Sequence, residues 1–252
     1  MRATSLSRTW PVHGGRARNC TTAGDNCSRR PSSSRPLTAA PGAADRLRHL
    51  QAQLPPAARL LAVSKGHPAE AVRALVAAGQ RSFGESRLQE ASLKQEALAD
   101  VGPLDWHFIG HLQANKVRPV LQRFGTIHSI DSLPLAERTA RIAAEEGLAP
   151  QVLLQVKLRD DPTKGGFSRE GLLEAWPQLQ RLTPLRITGL MTMAPVGLGA
   201  AEREPLFAEC AGLARDLGLS ELSMGMSGDW PEAARAGSTW VRIGSALFGS
   251  RT

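Results

Sequence analysis

Lys65 is the residue whose placement in this sequence most directly suggests covalent chemistry. It follows the apolar run LLAVS at the end of a predicted strand, Arg59–Ser64. An amine at the end of a buried strand is partly desolvated, and desolvation lowers the pKa of a lysine. A neutral amine is a nucleophile that forms a Schiff base with a carbonyl. The alternative is an ordinary lysine whose charge reaches solvent, and Lys65 taken alone does not exclude it.

Two segments near the C terminus predict a phosphate-binding site. Ser227 lies in GMSGD, and Gly244 and Ser245 lie in RIGSALFG. Glycine lets backbone N–H groups approach an anion, and a short helix after Ser227 directs further N–H groups towards it. Each segment alone is also typical of an ordinary turn. Because a Schiff-base lysine beside a phosphate site is the arrangement that binds pyridoxal 5′-phosphate (PLP), the combination predicts a PLP site.

The elements that must position these residues alternate between short apolar strands and helices, which is typical of parallel βα units. The eight predicted strands are Arg59–Ser64, Ser82–Glu85, Trp106–Ile109, Thr126–Ile130, Val152–Leu158, Ile187–Met193, Leu222–Met226 and Trp240–Leu247. They predict an α/β fold, a single (β/α)8 TIM barrel over residues 44–252. A doubly wound open sheet is the alternative. In a barrel the last strand closes against the first, which would bring Arg242, Gly244 and Ser245 beside Lys65.

The positive charge of the chain is concentrated in its N-terminal residues. The 252 residues contain 31 Lys and Arg against 23 Asp and Glu, a net charge of +8. Residues 1–43 hold seven arginines against one acid, a net charge of +6, which leaves +2 for the remainder. This stretch is rich in Ser, Arg and Pro and is expected to be a disordered extension; an organelle-targeting segment and a misplaced start site are the alternatives. We therefore expect no nucleic-acid partner for the barrel.

The composition also excludes several other classes of protein. No run of about 18 apolar residues is present, so no membrane partner is expected. Of three cysteines, Cys20 and Cys27 lie in the extension and only Cys210 in the predicted barrel, which excludes a disulfide scaffold and favours a reducing, cytoplasmic location. The absence of spaced Cys and His clusters argues against a structural zinc site.

Six segments of the chain, in this order, resemble one protein family. They are LLAVSK, FGES-x-x-QE, WHFIGHLQ-x-NK, GLMTM, LSMGMSGD and STWVRIGSALFG, and they cover essentially all of residues 44–252. The family is that of the pyridoxal phosphate homeostasis proteins, whose barrel is similar to the N-terminal domain of alanine racemase. Ser86 stands where the family usually has asparagine, so the role of that side chain is not carried over.

The resemblance implies a role for each candidate residue. Lys65 carries PLP as a Schiff base, while Ser227, Gly244 and Ser245 hold the phosphate. Arg242 faces the pyridine nitrogen. Arginine can only donate hydrogen bonds, so that nitrogen must be an unprotonated acceptor, and the ring is then a weaker electron sink than one paired with a carboxylate.

These features favour a PLP-binding protein of intracellular PLP (vitamin B6) homeostasis with little or no turnover, over a PLP-dependent amino-acid enzyme such as a racemase. A two-base racemase needs a second proton donor besides Lys65. In the alanine racemases that this barrel resembles it is a tyrosine, and this chain contains none. We interpret His107 and Cys210 as core side chains and Asp229 as a helix N-cap. The resemblance suggests a monomer or weak dimer, with apo forms of PLP-dependent enzymes as partners.

Overall fold

The computed structural model describes residues 42–161 and 164–249, and in them eight parallel strands close into a barrel. The strands are β1 (Arg59–Val63), β2 (Ser82–Glu85), β3 (Asp105–Phe108), β4 (Thr126–Ile130), β5 (Gln151–Gln155), β6 (Arg186–Met191), β7 (Glu221–Met226) and β8 (Trp240–Ile243). Each strand pairs with its neighbours in sequence, and β1 pairs with β8, with Leu61 opposite Arg242. This closure confirms the predicted (β/α)8 TIM barrel and excludes the open sheet.

Helices follow the strands as predicted, with small differences in their bounds. The α-helices of the described residues are α1 (Ala43–Gln53), α2 (Ala69–Ala77), α3 (Leu88–Ala97), α4 (Val117–Leu121), α5 (Leu133–Glu145), α6 (Arg169–Leu179), α7 (Ala200–Asp216), α8 (Trp230–Arg235) and α9 (Ser245–Phe248). Two 3₁₀ turns, Ala99–Val101 and Ala114–Lys116, precede β3 and α4. The second of these turns leads directly into α4.

The predicted strand Trp240–Leu247 is wrong beyond Ile243. The chain turns at Gly244 and continues as α9, in which the N–H groups of Leu247 and Phe248 donate to the Gly244 carbonyl at 2.9 Å. The β1–β8 pairing ends with Ile243 opposite Ala62, so β1 provides no further backbone partners that would extend β8. Ser245 consequently begins a helix instead of continuing the strand.

Alternation along the strands separates an apolar outer layer from a partly polar interior. Leu60 and Ala62 belong to the apolar core between strands and helices, so Leu61 and Val63 point into the barrel. Four polar side chains of the interior are at most 5% exposed: His107, His128, Ser223 and Arg242. TIM barrels are usually filled by branched apolar residues. Polar groups here must instead bond to one another, because burying them unpaired is costly.

The remaining expectations concern the extension and the excluded classes. Residues 1–41 of the predicted disordered extension lie outside the described residues. The last residue of that predicted segment, Ala43, is the first residue of α1. No helix in the described ranges is long and apolar enough to cross a membrane. The same ranges contain no group of three His, Cys, Asp or Glu side chains arranged for a metal ion. Cys210 is fully buried in α7, which agrees with a packing role.

Candidate functional site

Lys65 lies in the turn after β1 and lines a small cavity at the C-terminal ends of β1 and β8. The side chain is half-buried. The cavity has a volume of about 110 Å³ and is lined by Val63, Lys65, His67, Gly244, Ser245 and Gly249. The ring of His67 stacks on Phe248 of α9, with ring centroids 4.6 Å apart. The structure thus brings three of the predicted site residues, Lys65, Gly244 and Ser245, to one cavity.

Ser227 joins the same site through the backbone of the β8–α9 segment. Its hydroxyl oxygen accepts the N–H groups of Gly244 at 3.3 Å and Ala246 at 3.2 Å. Two amides that converge on one oxygen form the geometry that binds an oxyanion. The predicted phosphate residues Ser227, Gly244 and Ser245 are therefore held together.

The loop that carries Ser227 is shaped by Gly225 and Asp229. Gly225 has φ +86°, and a Cβ there would lie 2.7 Å from the Ala233 Cβ. Only glycine lets α8 pack this closely on the end of β7. Asp229 occupies the N-cap position of α8, but its carboxylate accepts the N–H of Met226 at 2.6 Å and makes no capping bond to the helix. The predicted N-cap position is confirmed, but the carboxylate closes the loop instead of bonding to the helix.

Arg242 lies deeper than the other predicted residues and does not line the cavity with Lys65. It is 5% exposed, in the barrel interior. Its guanidinium donates to the carbonyl and hydroxyl oxygens of Ser223 at 2.6 and 2.7 Å and to the Thr192 carbonyl at 2.9 Å. Burial lowers the pKa of Arg242 to about 10, and the group remains a cation at neutral pH.

The hydroxyl of Ser223 connects Arg242 to two buried histidines. His128 Nδ1 lies 2.8 Å from Ser223 Oγ, and His128 Nε2 lies 2.8 Å from His107 Nδ1. His107 Nε2 lies 2.6 Å from a carboxylate oxygen of Asp105, which is half-exposed at the other end of the barrel. Burial, together with the nearby cation of Arg242, holds the pKa of His128 well below its usual value. The interpretation of His107 as a core histidine is consistent with this placement.

A second buried cluster holds the backbone on both sides of Lys65. Lys94 in α3 is almost fully buried, and its amine donates to the Ser64 carbonyl and to Glu85, both at 2.6 Å, and to Glu90 at 2.7 Å. Glu90 in turn accepts the N–H of Gly66. The residues before and after Lys65 are therefore fixed by one ion cluster, which positions the turn between them.

Comparisons with known proteins show the family of this chain. A family model described as the alanine racemase N-terminal domain matches residues 43–252. The pyridoxal phosphate homeostasis protein of Synechocystis is 49% identical over 206 residues, 79% of this chain and 94% of that protein. That of Pseudomonas aeruginosa is 47% identical over 195 residues, 76% of this chain and 84% of that protein. The chain belongs to the pyridoxal phosphate homeostasis protein family.

Solved structures with a similar fold include a member of the same family. PipY of Synechococcus elongatus with PLP bound is 50% identical, with a TM-score of 0.79, and the match covers 82% of this chain and all 100% of that one. Alanine racemase of Corynebacterium glutamicum is 20% identical, with a TM-score of 0.65, over 83% of this chain and 60% of that one. The second likeness shows a shared fold alone.

Sequence reasoning missed four residues that the structure places in or beneath the family's site: His128, Ser223, Glu85 and Lys94. A signal existed for Lys94, since it follows Glu90 by one helical turn in the segment after FGES. Ser223 stands between apolar neighbours in its strand, and His128 lies between Ile127 and Ser129, but neither pattern reveals which interior side chains meet. Ser86 follows β2 and packs closely on Gly110, where a Cβ would lie 2.2 Å from the Ser86 carbonyl oxygen.

Proposed function

We propose that this chain binds PLP in the cavity beside Lys65 and holds it with little or no turnover, as part of intracellular PLP (vitamin B6) homeostasis. The observation that carries the proposal is the cavity shared by Lys65, Gly244 and Ser245, with Ser227 bonded to the same segment. An amine for the carbonyl and converging donors for the phosphate are what PLP requires of a protein. The homeostasis proteins of the family and PLP-bound PipY support the same assignment.

In this proposal each residue binds one part of the cofactor. The Lys65 amine holds PLP covalently as a Schiff base, and Ser227, Gly244 and Ser245 bind the phosphate. The segment suits a phosphate because the N–H groups of Gly244 and Ala246 converge on one oxygen position, which the Ser227 hydroxyl takes in this structure. Arg242 is the partner of the pyridine nitrogen. When bound, PLP supplies an aldehyde and an electron-withdrawing ring.

The chemistry of Arg242 favours holding PLP over turning over amino acids. A guanidinium donates and never accepts, so the ring nitrogen opposite it stays unprotonated and withdraws electrons less strongly. The candidate second bases are also poorly suited to proton transfer. Burial raises the pKa of the Cys210 thiol to about 12, and His107 is bonded to Asp105 and His128.

A labelling experiment tests the cofactor assignment. The chain is incubated with PLP, reduced with borohydride, digested and analysed by mass spectrometry. We expect the pyridoxyl group on Lys65 and its loss in Lys65→Ala, while Lys116→Ala serves as a matched control that keeps the label. If Lys65→Ala takes up PLP with an unchanged absorbance spectrum, the proposal fails.

The fold shared with alanine racemase makes amino-acid racemisation the second candidate function. The PLP-loaded chain is incubated with single enantiomers of alanine and serine, and the products are separated on a chiral column. Inversion at ordinary enzyme rates, about 1 s⁻¹ or faster, would replace the carrier proposal. Transfer of PLP to an apo-enzyme, without inversion, would support it.

The partners and location belong to the same proposal. We infer that apo forms of PLP-dependent enzymes receive the cofactor, and that the chain acts in the cytoplasm without a nucleic-acid or membrane partner. We also propose that it is a monomer or weak dimer, which sedimentation equilibrium measures. Organelle targeting by residues 1–43 is the alternative location. Imaging fluorescent fusions with and without these residues decides between the two.

A further inference from the structure

A line of hydrogen-bonded polar side chains crosses the barrel interior and ends on Arg242. It runs from Asp105 through His107, His128 and Ser223, with successive distances of 2.6, 2.8, 2.8 and 2.7 Å. The residues come from β3, β4, β7 and β8, so the line joins strands on different sides of the barrel. Two ionisable imidazoles in such a place are expensive to bury unless each nitrogen has a partner.

The chemistry of the two ends sets the direction of every bond. Arg242 has donors only, so the Ser223 oxygen accepts from it. In the described part of the chain the other partner of that hydroxyl is His128 Nδ1. The hydroxyl proton therefore goes to His128 Nδ1, which must be unprotonated.

The same reasoning continues to the far end of the line. A neutral His128 with a bare Nδ1 carries its proton on Nε2, and donates it to His107 Nδ1. His107 then carries its own proton on Nε2, and donates it to the Asp105 carboxylate. Each of the four bonds has one donor and one acceptor, and both histidines are neutral. The reverse order would leave the Ser223 hydroxyl proton without an acceptor in this line.

The charges around the line agree with a neutral His128. Arg242 and Arg59 are both close enough to act on His128, and a further positive charge on that ring would be repelled. Asp105 is the anionic end of the line and also accepts a bond from Ser82. The edge of the His107 ring packs on Trp240, with ring centroids 4.7 Å apart, which fixes the imidazole plane.

We propose that His128 and His107 are positioning residues for Arg242: two neutral imidazoles, each protonated on Nε2, that hold the Ser223 oxygen as an acceptor for the guanidinium. Ser223 and Thr192 thereby fix the position of Arg242. The only carboxylate of the line, that of Asp105, does not contact the guanidinium, so its positive charge is not paired within the line. The consequence for the pyridine nitrogen rests on the proposed function, because it requires PLP beside Arg242. The proton positions do not depend on it.

The proton positions are tested on the full chain without added cofactor. NMR spectra that correlate imidazole nitrogens with ring protons distinguish the two neutral tautomers from the cation. We expect both histidines to be neutral with the proton on Nε2. The His128 signals are assigned by their loss in His128→Asn. A proton on His128 Nδ1, or a cationic ring at either residue, would overturn the proposal.

The positioning role is tested by the absorbance of bound PLP as a function of pH. His128→Asn keeps an acceptor oxygen near the place of Nδ1, whereas His128→Leu removes it. We expect the midpoint of the pH profile to move by about one unit in His128→Leu and to remain like wild type in His128→Asn. An unchanged profile in His128→Leu, or equal shifts in both variants, would refute the role. If the wild-type chain takes up no PLP, the proposed function fails, while the NMR result still decides the proton order.

Discussion

Lys94 should be among the most costly side chains to replace, although it lies outside the cavity. The Glu85 side chain is fully buried and that of Lys94 is 5% exposed, with 2.6 Å between amine and carboxylate. Lys94→Met keeps the stem but leaves Glu85 without its cation. Breaking a buried ion pair from one side costs about 3–5 kcal/mol. For a barrel of this size each kcal/mol lowers the melting temperature by about 2–4 °C, so we expect a fall of roughly 10 °C.

The stability lost in Lys94→Met should depend on pH, and the direction of this dependence follows from the pKa of Glu85. Burial raises the pKa of Glu85, against the hydrogen bonds from Lys94 and Ser64 that lower it. Removing the amine moves the folded-state pKa further above the unfolded value. A carboxyl with a raised folded-state pKa contributes stability that is present below the unfolded pKa and is lost as the pH rises through the folded pKa. Lys94→Met should therefore recover stability, relative to wild type, as the pH falls from neutrality towards 4.5, the ordinary value for glutamate.

Urea unfolding followed by circular dichroism measures both effects, at neutral pH and at about pH 5. The matched control is Arg141→Met, which breaks the exposed pair of Arg141 and Glu145 on α5 and should cost less than about 0.5 kcal/mol. The double variant Lys94→Met/Glu85→Gln removes both charges and should be more stable than Lys94→Met alone. A loss below about 1 kcal/mol in Lys94→Met, or one independent of pH, would refute the reasoning.

Three further predictions follow from the loops and the core. Gly225→Ala should destabilise the barrel by about 1–3 kcal/mol in urea, because φ is +86° and the new Cβ would overlap Ala233; an unchanged midpoint would contradict this. Ser227→Ala should weaken PLP binding by about tenfold in an absorbance titration, because one hydrogen bond to a charged group is lost. Equal affinity of the variant and the wild type would exclude Ser227 from the phosphate site. Cys210 should react with a thiol reagent only after unfolding, because it is buried and its pKa is raised to about 12. The labelling rate is measured in a chain in which Cys20 and Cys27 are replaced by serine. Rapid labelling of the folded chain would disprove the prediction.

Much of the fold could be predicted because it depends on local patterns. Strands β2 and β4 have the predicted bounds, since short apolar runs between turn residues define buried strands. The position of Lys65 directly after β1 is equally local. The end of β8 could not be predicted in this way, because WVRIGSALF is one nearly continuous apolar run. Its division at Gly244 depends on where β1 stops offering hydrogen bonds, about 180 positions earlier in the chain.

The sequence by itself determined the order of the elements, the placement of Lys65 at a strand end and the glycine- and serine-containing segments after β7 and β8. Only the tertiary structure decided what fills the barrel. His128 and Ser223 are 95 positions apart, and nothing local relates them. Closing the barrel turns the inward side chains of separate strands towards one axis. Arg242, opposite Leu61 in the β8–β1 register, is carried below the cavity into this interior. There its partners are other side chains and carbonyls, which is why the polar residues of four strands form one hydrogen-bonded line.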